Sequence, residues 1–169
     1  MRIRQANYLS IDPGLYGTGY AVWNTQHWCL LVPPIRVGVF SPMRQGNFLE
    51  RATLQAEQVE ALCKKEGVTK VWIEFPVFYA SSAGGYMVAA TGDLLKLCAC
   101  AGAIASRTGC LVVPVPVSRW KGQLPKKVVI KRIRSTLGDL TCERLEAKGL
   151  RDDAWDAVGI GLWAKGWFQ

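Results

Sequence analysis

Histidine and paired cysteines are what this chain most plainly lacks. Among 169 residues there is one histidine, His27. That excludes most Ser-His and Cys-His catalytic arrangements and any histidine-rich metal site. His27 stands between Gln26 and Trp28 at an expected hairpin turn and reads as surface structure. The six cysteines (Cys29, Cys63, Cys98, Cys100, Cys110, Cys142) contain no Cys-x-x-Cys pair, so zinc-finger spacing is missing too. They read as reduced, mostly buried thiols of a cytoplasmic protein. Acids are scarce: 13 Asp and Glu face 21 Lys and Arg, for a net charge of +8. No apolar run follows Met1-Arg-Ile-Arg, so no signal peptide is expected. The longest apolar stretch, Gly84 to Ala105, is interrupted by Asp93 and Lys96. It reads as a buried helix and not a membrane span.

What remains is the material of one ordinary domain, residues 1–169. Half the residues are hydrophobic and 20% are charged, enough for a real core. The pattern predicts a strand over 7–12 and its hairpin partner over 18–23, joined through Pro13, Gly14 and Gly17. Two short strands are expected near 28–32 and 35–40, separated by Pro33-Pro34. Asn47-Phe-Leu-Glu50 is a capping-box signal. Behind it Phe48, Ala52, Val59, Leu62 and Cys63 recur at helical spacing until Gly67. A strand over 70–75, a Gly- and Ser-rich loop at 80–85, an apolar helix over 86–106 and a strand over 110–115 follow. A basic helix starts at Pro125 and ends at Gly138, and a last helix runs over 152–165. Strands first, then strands alternating with helices, predict an α/β fold: a mixed five-stranded sheet with helices on both faces.

Four of the few acids stand where acids are costly. Asp12 ends an apolar strand and is followed by Pro13-Gly14. Glu74 ends Val71-Trp-Ile and precedes Phe75-Pro-Val-Phe-Tyr79. Asp153 and Asp156 lie one turn apart at the start of the last helix, and so on one side of it. An aspartate at a strand end often caps a turn, and Asp152 or Asp153 can cap a helix. Asp152 takes the cap; Asp156 lies beyond its reach. Buried acids need neutralising, and hard oxygen ligands suit Mg²⁺ or Mn²⁺. A metal-binding acidic cluster in a basic chain suggests an enzyme that cuts nucleic acid.

From Arg119 to Arg134 the sequence holds Arg119, Lys121, Lys126, Lys127, Lys131, Arg132 and Arg134 with no acid between them. A solvated helix face is the ordinary meaning of a charge run; this one reads as a phosphate-contacting patch. Lys121 with Lys126 or Lys127 is placed to reach a scissile phosphate, and Trp120 reads as a packing anchor. Phe75, Phe78 and Tyr79 follow Glu74, and Pro76 forces an exit from the strand. At least one of those rings is expected near the site, free to stack on a base.

Taken together, Ile11-Asp-Pro-Gly14, Thr18-Gly19-Tyr20, Ile73-Glu74 and Asp153-Ala-Trp-Asp156-Ala157 resemble the RuvC family of Holliday junction resolvases, almost end to end. Leu95-Lys-Leu97 to Gly102-Ala-Ile104 looks like that family's central helix. Trp120-Lys121-Gly122 with Lys126-Lys127 is similar to its two-lysine DNA-contacting segment. The chain departs from the pattern too. The aromatic that the family inserts at the junction is Phe75 or Phe78, with Phe78 preferred. Asp153 stands where some relatives have histidine, and Cys98, Ala99 and Ala101 stand where bacterial members are more polar. Such divergence fits a phage-encoded or organellar variant. A phage protein would act in its host's cytoplasm.

The resemblance implies an RNase H-like fold and a crossover-junction endonuclease. It implies two Mg²⁺ ions per site (Mn²⁺ substituting) on Asp12, Glu74, Asp153 and Asp156, with Asp12 bridging. Lys121 or Lys127 would assist, and Phe78, Arg119, Lys121, Lys126, Lys127, Lys131, Arg132 and Arg134 would contact DNA. Nicks would carry 5′-phosphate and 3′-hydroxyl ends. A junction of two-fold symmetry calls for a homodimer, with no small-molecule cofactor and no membrane. Competing readings are a YqgF-like nuclease acting on RNA, a junction-binding module without catalysis, and an actin-like kinase. The last would need a second phosphate-binding motif and a longer chain.

Overall fold

The structure, a computed structural model, describes residues 6–27, 30–41, 46–76 and 92–168. Phe78, Tyr79, the 80–85 loop and the first part of the 86–106 helix lie outside the described residues, as does Cys29. Five strands form one sheet: β1 (Asn7–Asp12), β2 (Thr18–Asn24), β3 (Arg36–Phe40), β4 (Val68–Phe75) and β5 (Leu111–Pro116). Their order is β3-β2-β1-β4-β5. The β1–β2 and β2–β3 pairs are antiparallel, while β1–β4 and β4–β5 are parallel. The helices are α1 (Phe48–Glu66), α2 (Asp93–Arg107), α3 (Val117–Trp120), α4 (Lys126–Leu137), α5 (Asp139–Ala147) and α6 (Asp152–Ala164). This is the expected mixed sheet with helices on both faces. Among the described residues no helix is long and apolar enough to cross a membrane.

Alternation along the strands divides two cores. Leu9, Ile11, Val22, Val71 and Ile73 face α1 and α2, meeting Ala56, Val59, Cys100 and Ile104. Ala21, Trp23, Trp72 and Val115 face α6, with Val129 and Ile133 of α4 closing that core from outside. Helix α1 begins as the sequence predicts: Asn47 and Glu50 form a complete capping box, and Gly67 ends the helix in the left-handed region at φ 62°. The described cysteines are free thiols, with Cys63, Cys100 and Cys142 buried.

Helix α6 is buried on nearly every side from Ala154 to Leu162, so it is a central helix and not an amphipathic surface one. It lies very close to the sheet because small residues face its neighbours. A Cβ at Gly161 would come within 2.3 Å of the Trp23 indole, and one at Gly159 within 2.5 Å of Trp120. On the strand side, a Cβ at Gly19 would meet the Asp153 carbonyl oxygen at 2.0 Å. Buried Ser10 fixes the register: its hydroxyl donates to the Ala157 carbonyl at 2.7 Å and accepts from Trp23 Nε1 at 2.8 Å.

The expected strand at 28–32 does not form over its described part. Residues 25–27 make one 3₁₀ turn, and Leu30 to Ile35 carry no strand. Pro33 and Pro34 remove two amide donors and hold Val32 out of a ladder; Val32 N–H turns back to the Leu30 carbonyl at 2.8 Å. Helices α3 and α5 went unpredicted. Helix α5 buries Cys142 and Leu145 at helical spacing, a stripe too short to stand out after the longer basic helix. The cap of α6 also differs from expectation: Arg151 is the cap residue and gives no side-chain cap bond.

Replacing Gly161 with alanine should cost about 1–3 kcal/mol, because the Trp23 ring is held by Ser10 and cannot swing away. Urea unfolding should show a lower midpoint at unchanged slope. An unchanged midpoint would mean that α6 lies farther from β2 than described.

Candidate active site

The carboxyl ends of β1 and β4 lie side by side, since Ile11 pairs with Ile73 in parallel register. Side chains alternate across a strand, so Asp12 shares a face with Ser10, and Glu74 with Trp72. Both acids therefore look toward α6. Gly19 lies opposite Asp12, and its bare backbone admits the first turn of α6, which brings in Asp153 and Asp156. Asp153 Oδ2 would lie 3.2 Å from a Cβ at Gly17, on the far side of the 13–17 turn. Asp156 is 7% exposed, the most deeply buried acid described.

The turn after Asp12 is braced from below. A Cβ at Gly14 would strike the Gly17 carbonyl oxygen at 2.2 Å, so the loop folds back on itself. Buried Gln55 of α1 holds both ends: its Nε2 donates to the Gly14 carbonyl at 3.2 Å, and the Thr18 hydroxyl donates to its Oε1. Sequence reasoning missed Gln55. The available signal was a polar residue on the apolar stripe between Ala52 and Val59.

Lysines meet the acids from the α3–α4 side. Lys121 Nζ stands 3.4 Å from Asp156 Oδ2 and 3.6 Å from Glu74 Oε2, and Lys126 Nζ lies 3.8 Å from Asp156 Oδ2. Trp120, expected only to pack, is buried but also donates its indole N–H to Glu74 Oε2 at 2.8 Å. Its ring lies under the Lys121 ammonium at 4.6 Å. Burial, followed by the charges of Glu74 and Asp156, raises the Asp12 carboxyl well above the usual carboxylate range. Burial also raises Glu74, while Lys121 and the Trp120 N–H hold it down. Lys121 is desolvated, yet Glu74, Asp156 and Asp12 together raise it above the ordinary lysine value.

The other predicted basic residues are spread out. Lys127, Lys131, Arg119 and Arg132 are exposed. Arg134 turns inward: its guanidinium meets Glu146 at 2.5 Å and Asp139 at 3.5 Å, and covers the Trp155 ring at 5.4 Å. Phe75 is 39% exposed directly after Glu74.

A hard divalent cation matches the donors here. All are carboxylate oxygens, and Asp156 Oδ1 is buried without a hydrogen-bond partner. The spacing is looser than a finished metal site. Among the described residues no three acids, cysteines or histidines form a ready ligand set, and the Lys121 ammonium supplies the positive charge between Glu74 and Asp156.

No family model and no curated protein matches the sequence. Solved structures do. The chain is similar to Thermus thermophilus RuvC in complex with a Holliday junction substrate, at 21% identity and a TM-score of 0.65, over 93% of this chain and 90% of that one. It is also similar to a Thermus thermophilus RuvC structure, at 17% identity and a TM-score of 0.61, over 95% and 96% of the two chains. The fold is thus that of RuvC and its RNase H-like relatives.

A carboxyl raised in the folded state keeps a proton that the unfolded chain gives up. Its contribution to stability is full below its ordinary value of 3.8 and is lost as pH rises through the raised value. Without divalent metal, Asp12→Asn should therefore melt higher than the unaltered protein at neutral pH, and its melting temperature should vary less with pH. An equal or lower melting temperature at neutral pH would show that Asp12 is not repelled there.

Proposed function

We propose that this protein is a divalent-metal-dependent endonuclease that resolves four-way DNA junctions in recombination and repair. Paired nicks would leave 5′-phosphate and 3′-hydroxyl ends. The observation that carries this reading is the gathering of Asp12, Glu74 and Asp156 around Lys121, in a fold whose counterpart was solved with a Holliday junction. The single domain, the homodimer and the cytoplasmic setting belong to the same proposal.

Asp12, Glu74, Asp153 and Asp156 would hold Mg²⁺, two ions per site, with Mn²⁺ able to substitute. When bound, the metal supplies an activated water and stabilises the leaving oxygen. The chain's own groups do the rest. The strand ends and α6 fix the carboxylates on rigid elements. Trp120 orients Glu74 through its indole N–H and favours its ionised form against the effect of burial. Lys121 neutralises the cluster between Glu74 and Asp156 and would offset the charge that builds on the phosphate. Lys126 and Lys127 extend that positive edge, and exposed Arg119, Lys131 and Arg132 would follow the DNA backbone. Arg134 is the weakest of the proposed contacts, because Glu146 and Asp139 hold it. Phe78 remains the proposed junction-inserting ring, and Phe75, which is exposed, is the alternative. Along α2 the exposed Leu95, Ala99, Gly102 and Ser106 offer a face for a second copy, which a two-fold junction requires.

Asp156→Asn should abolish cleavage of a synthetic four-way junction while junction binding persists. The unaltered protein should place symmetric nicks in the junction and not in a linear duplex of the same sequence, and chelation should stop it. Equal cutting of both substrates would make it a general nuclease; tight junction binding without cutting would make it a binding module. Trp120→Phe should lower kcat about tenfold, the scale of one lost hydrogen bond to a charged group. Losing that donor raises Glu74, so the acid limb of the pH–rate profile should move to higher pH. A proportional loss at every pH would limit Trp120 to packing.

A further inference from the structure

A groove of about 450 Å³ opens beside the acid cluster at the β3 edge of the sheet, whereas Lys121 and Lys126 follow β5, the strand at the other edge. Its walls are edge strand β3 (Val37, Gly38, Val39), Ser41, Tyr20 and, from the 148–151 loop, Lys148, Gly149 and Arg151; Asp153 also lines it. The groove is therefore continuous with the candidate active site. Most of its lining is polar or charged, and Lys148 and Arg151 are both exposed.

These two cations differ from the basic groups that meet the acids on the other flank. Lys121 and Lys126 are paired with Asp156, and Arg134 with Glu146. Among the described residues, Lys148 and Arg151 make no ion pair. The backbone that carries them is nevertheless pinned. Leu150 between them is buried at 3% exposure, and its N–H donates to the Leu145 carbonyl at 2.9 Å. Gly149, at φ 108°, donates to the Glu146 carbonyl at 3.1 Å. The Arg151 carbonyl accepts the Trp155 N–H at 3.1 Å. Two unpaired cations on a stiff loop cost self-repulsion in the free protein, and an anionic partner removes that cost.

We propose that this groove binds the sugar–phosphate backbone of the DNA strand being cut, with Lys148 and Arg151 as its phosphate contacts. This rests on the nuclease reading above and extends it. The strand crosses the acid cluster from the α3–α4 lysines on one flank to the 148–151 loop on the other, so cations hold its backbone on both sides of the scissile bond. The sequence run that ends at Arg134 covers only one of those flanks. Contacts of this kind position the strand and read no sequence.

The test is salt-dependent binding of a fluorescein-labelled four-way junction, followed by anisotropy in chelator so that nothing is cut. Each lost phosphate contact lowers the slope of log K against log salt by about one. The Lys148→Ala, Arg151→Ala double variant should lose about two from the slope and bind more weakly. Lys148→Arg with Arg151→Lys should keep the slope, which separates charge from loop structure. Lys65→Ala, an exposed site in the last turn of α1, should leave it unchanged. If the unaltered protein binds the junction and the double alanine variant matches its slope, the groove is not a phosphate site, while the nuclease reading stands. If the charge-preserving variant loses as much as the alanine one, the loop acts through its structure and the phosphate contacts are refuted. If the unaltered protein binds no junction, the proposed function and the groove fall together.

Discussion

Helix α6 can reach the sheet only because side chains are missing on both surfaces. Gly161 yields to Trp23, Gly159 to Trp120, and Gly19 to the backbone at Asp153. The rest of the molecule is arranged around that approach. It brings Asp153 and Asp156 to Asp12 and Glu74, which the parallel pairing of β1 and β4 has already set side by side. It also excludes water from Asp156 and leaves one of its oxygens without a partner. Packing and electrostatics are thus one constraint: the closeness that makes α6 central forces several negative charges into a poorly solvated corner.

The fold answers that charge with the other half of the chain. Lys121 and Lys126 come from the segment after β5, and Trp120 both covers the site and donates to Glu74. The energetic balance is local. Burial raises Asp12 and Glu74 together, but among the described residues Glu74 is the one that takes both the Trp120 N–H and the Lys121 ammonium at its oxygen. Asp12 is therefore the strained member of the set, and any cation entering the site gains most by meeting it.

Much of this was legible in the sequence. The strands bearing Asp12 and Glu74, the capped helix from Asn47 to Gly67 and the final helix with its two aspartates all follow from period, caps and turn residues, since local rules decide them. What stayed hidden depends on contacts far apart in the chain. Gln55 reads as an ordinary polar residue until the Gly14 turn folds onto it, 41 positions away. Trp120 reads as core until Glu74 appears, 46 positions earlier. The strand expected near residues 28–32 failed because two prolines outweighed a favourable run of apolar residues. Arg134 joined the basic patch by sequence position alone, whereas α5, which the pattern did not announce, carries the acids that hold it.

Among the described residues no strand pairs outside β3 or β5, and the two edges differ in kind. Strand β5 closes one side, and two of its six residues are Pro114 and Pro116. A proline is tolerated in a strand where its nitrogen faces away from the ladder, so these two remove donors from the outward edge. A neighbouring chain approaching there would find an interrupted row of partners, and growth of the sheet from molecule to molecule is blunted. An unfinished sheet is an aggregation hazard for a small protein, and two prolines are an inexpensive safeguard against it. A second copy would not readily extend the sheet past β5, so that side of the molecule leaves its strand ends open, whatever happens at the β3 edge.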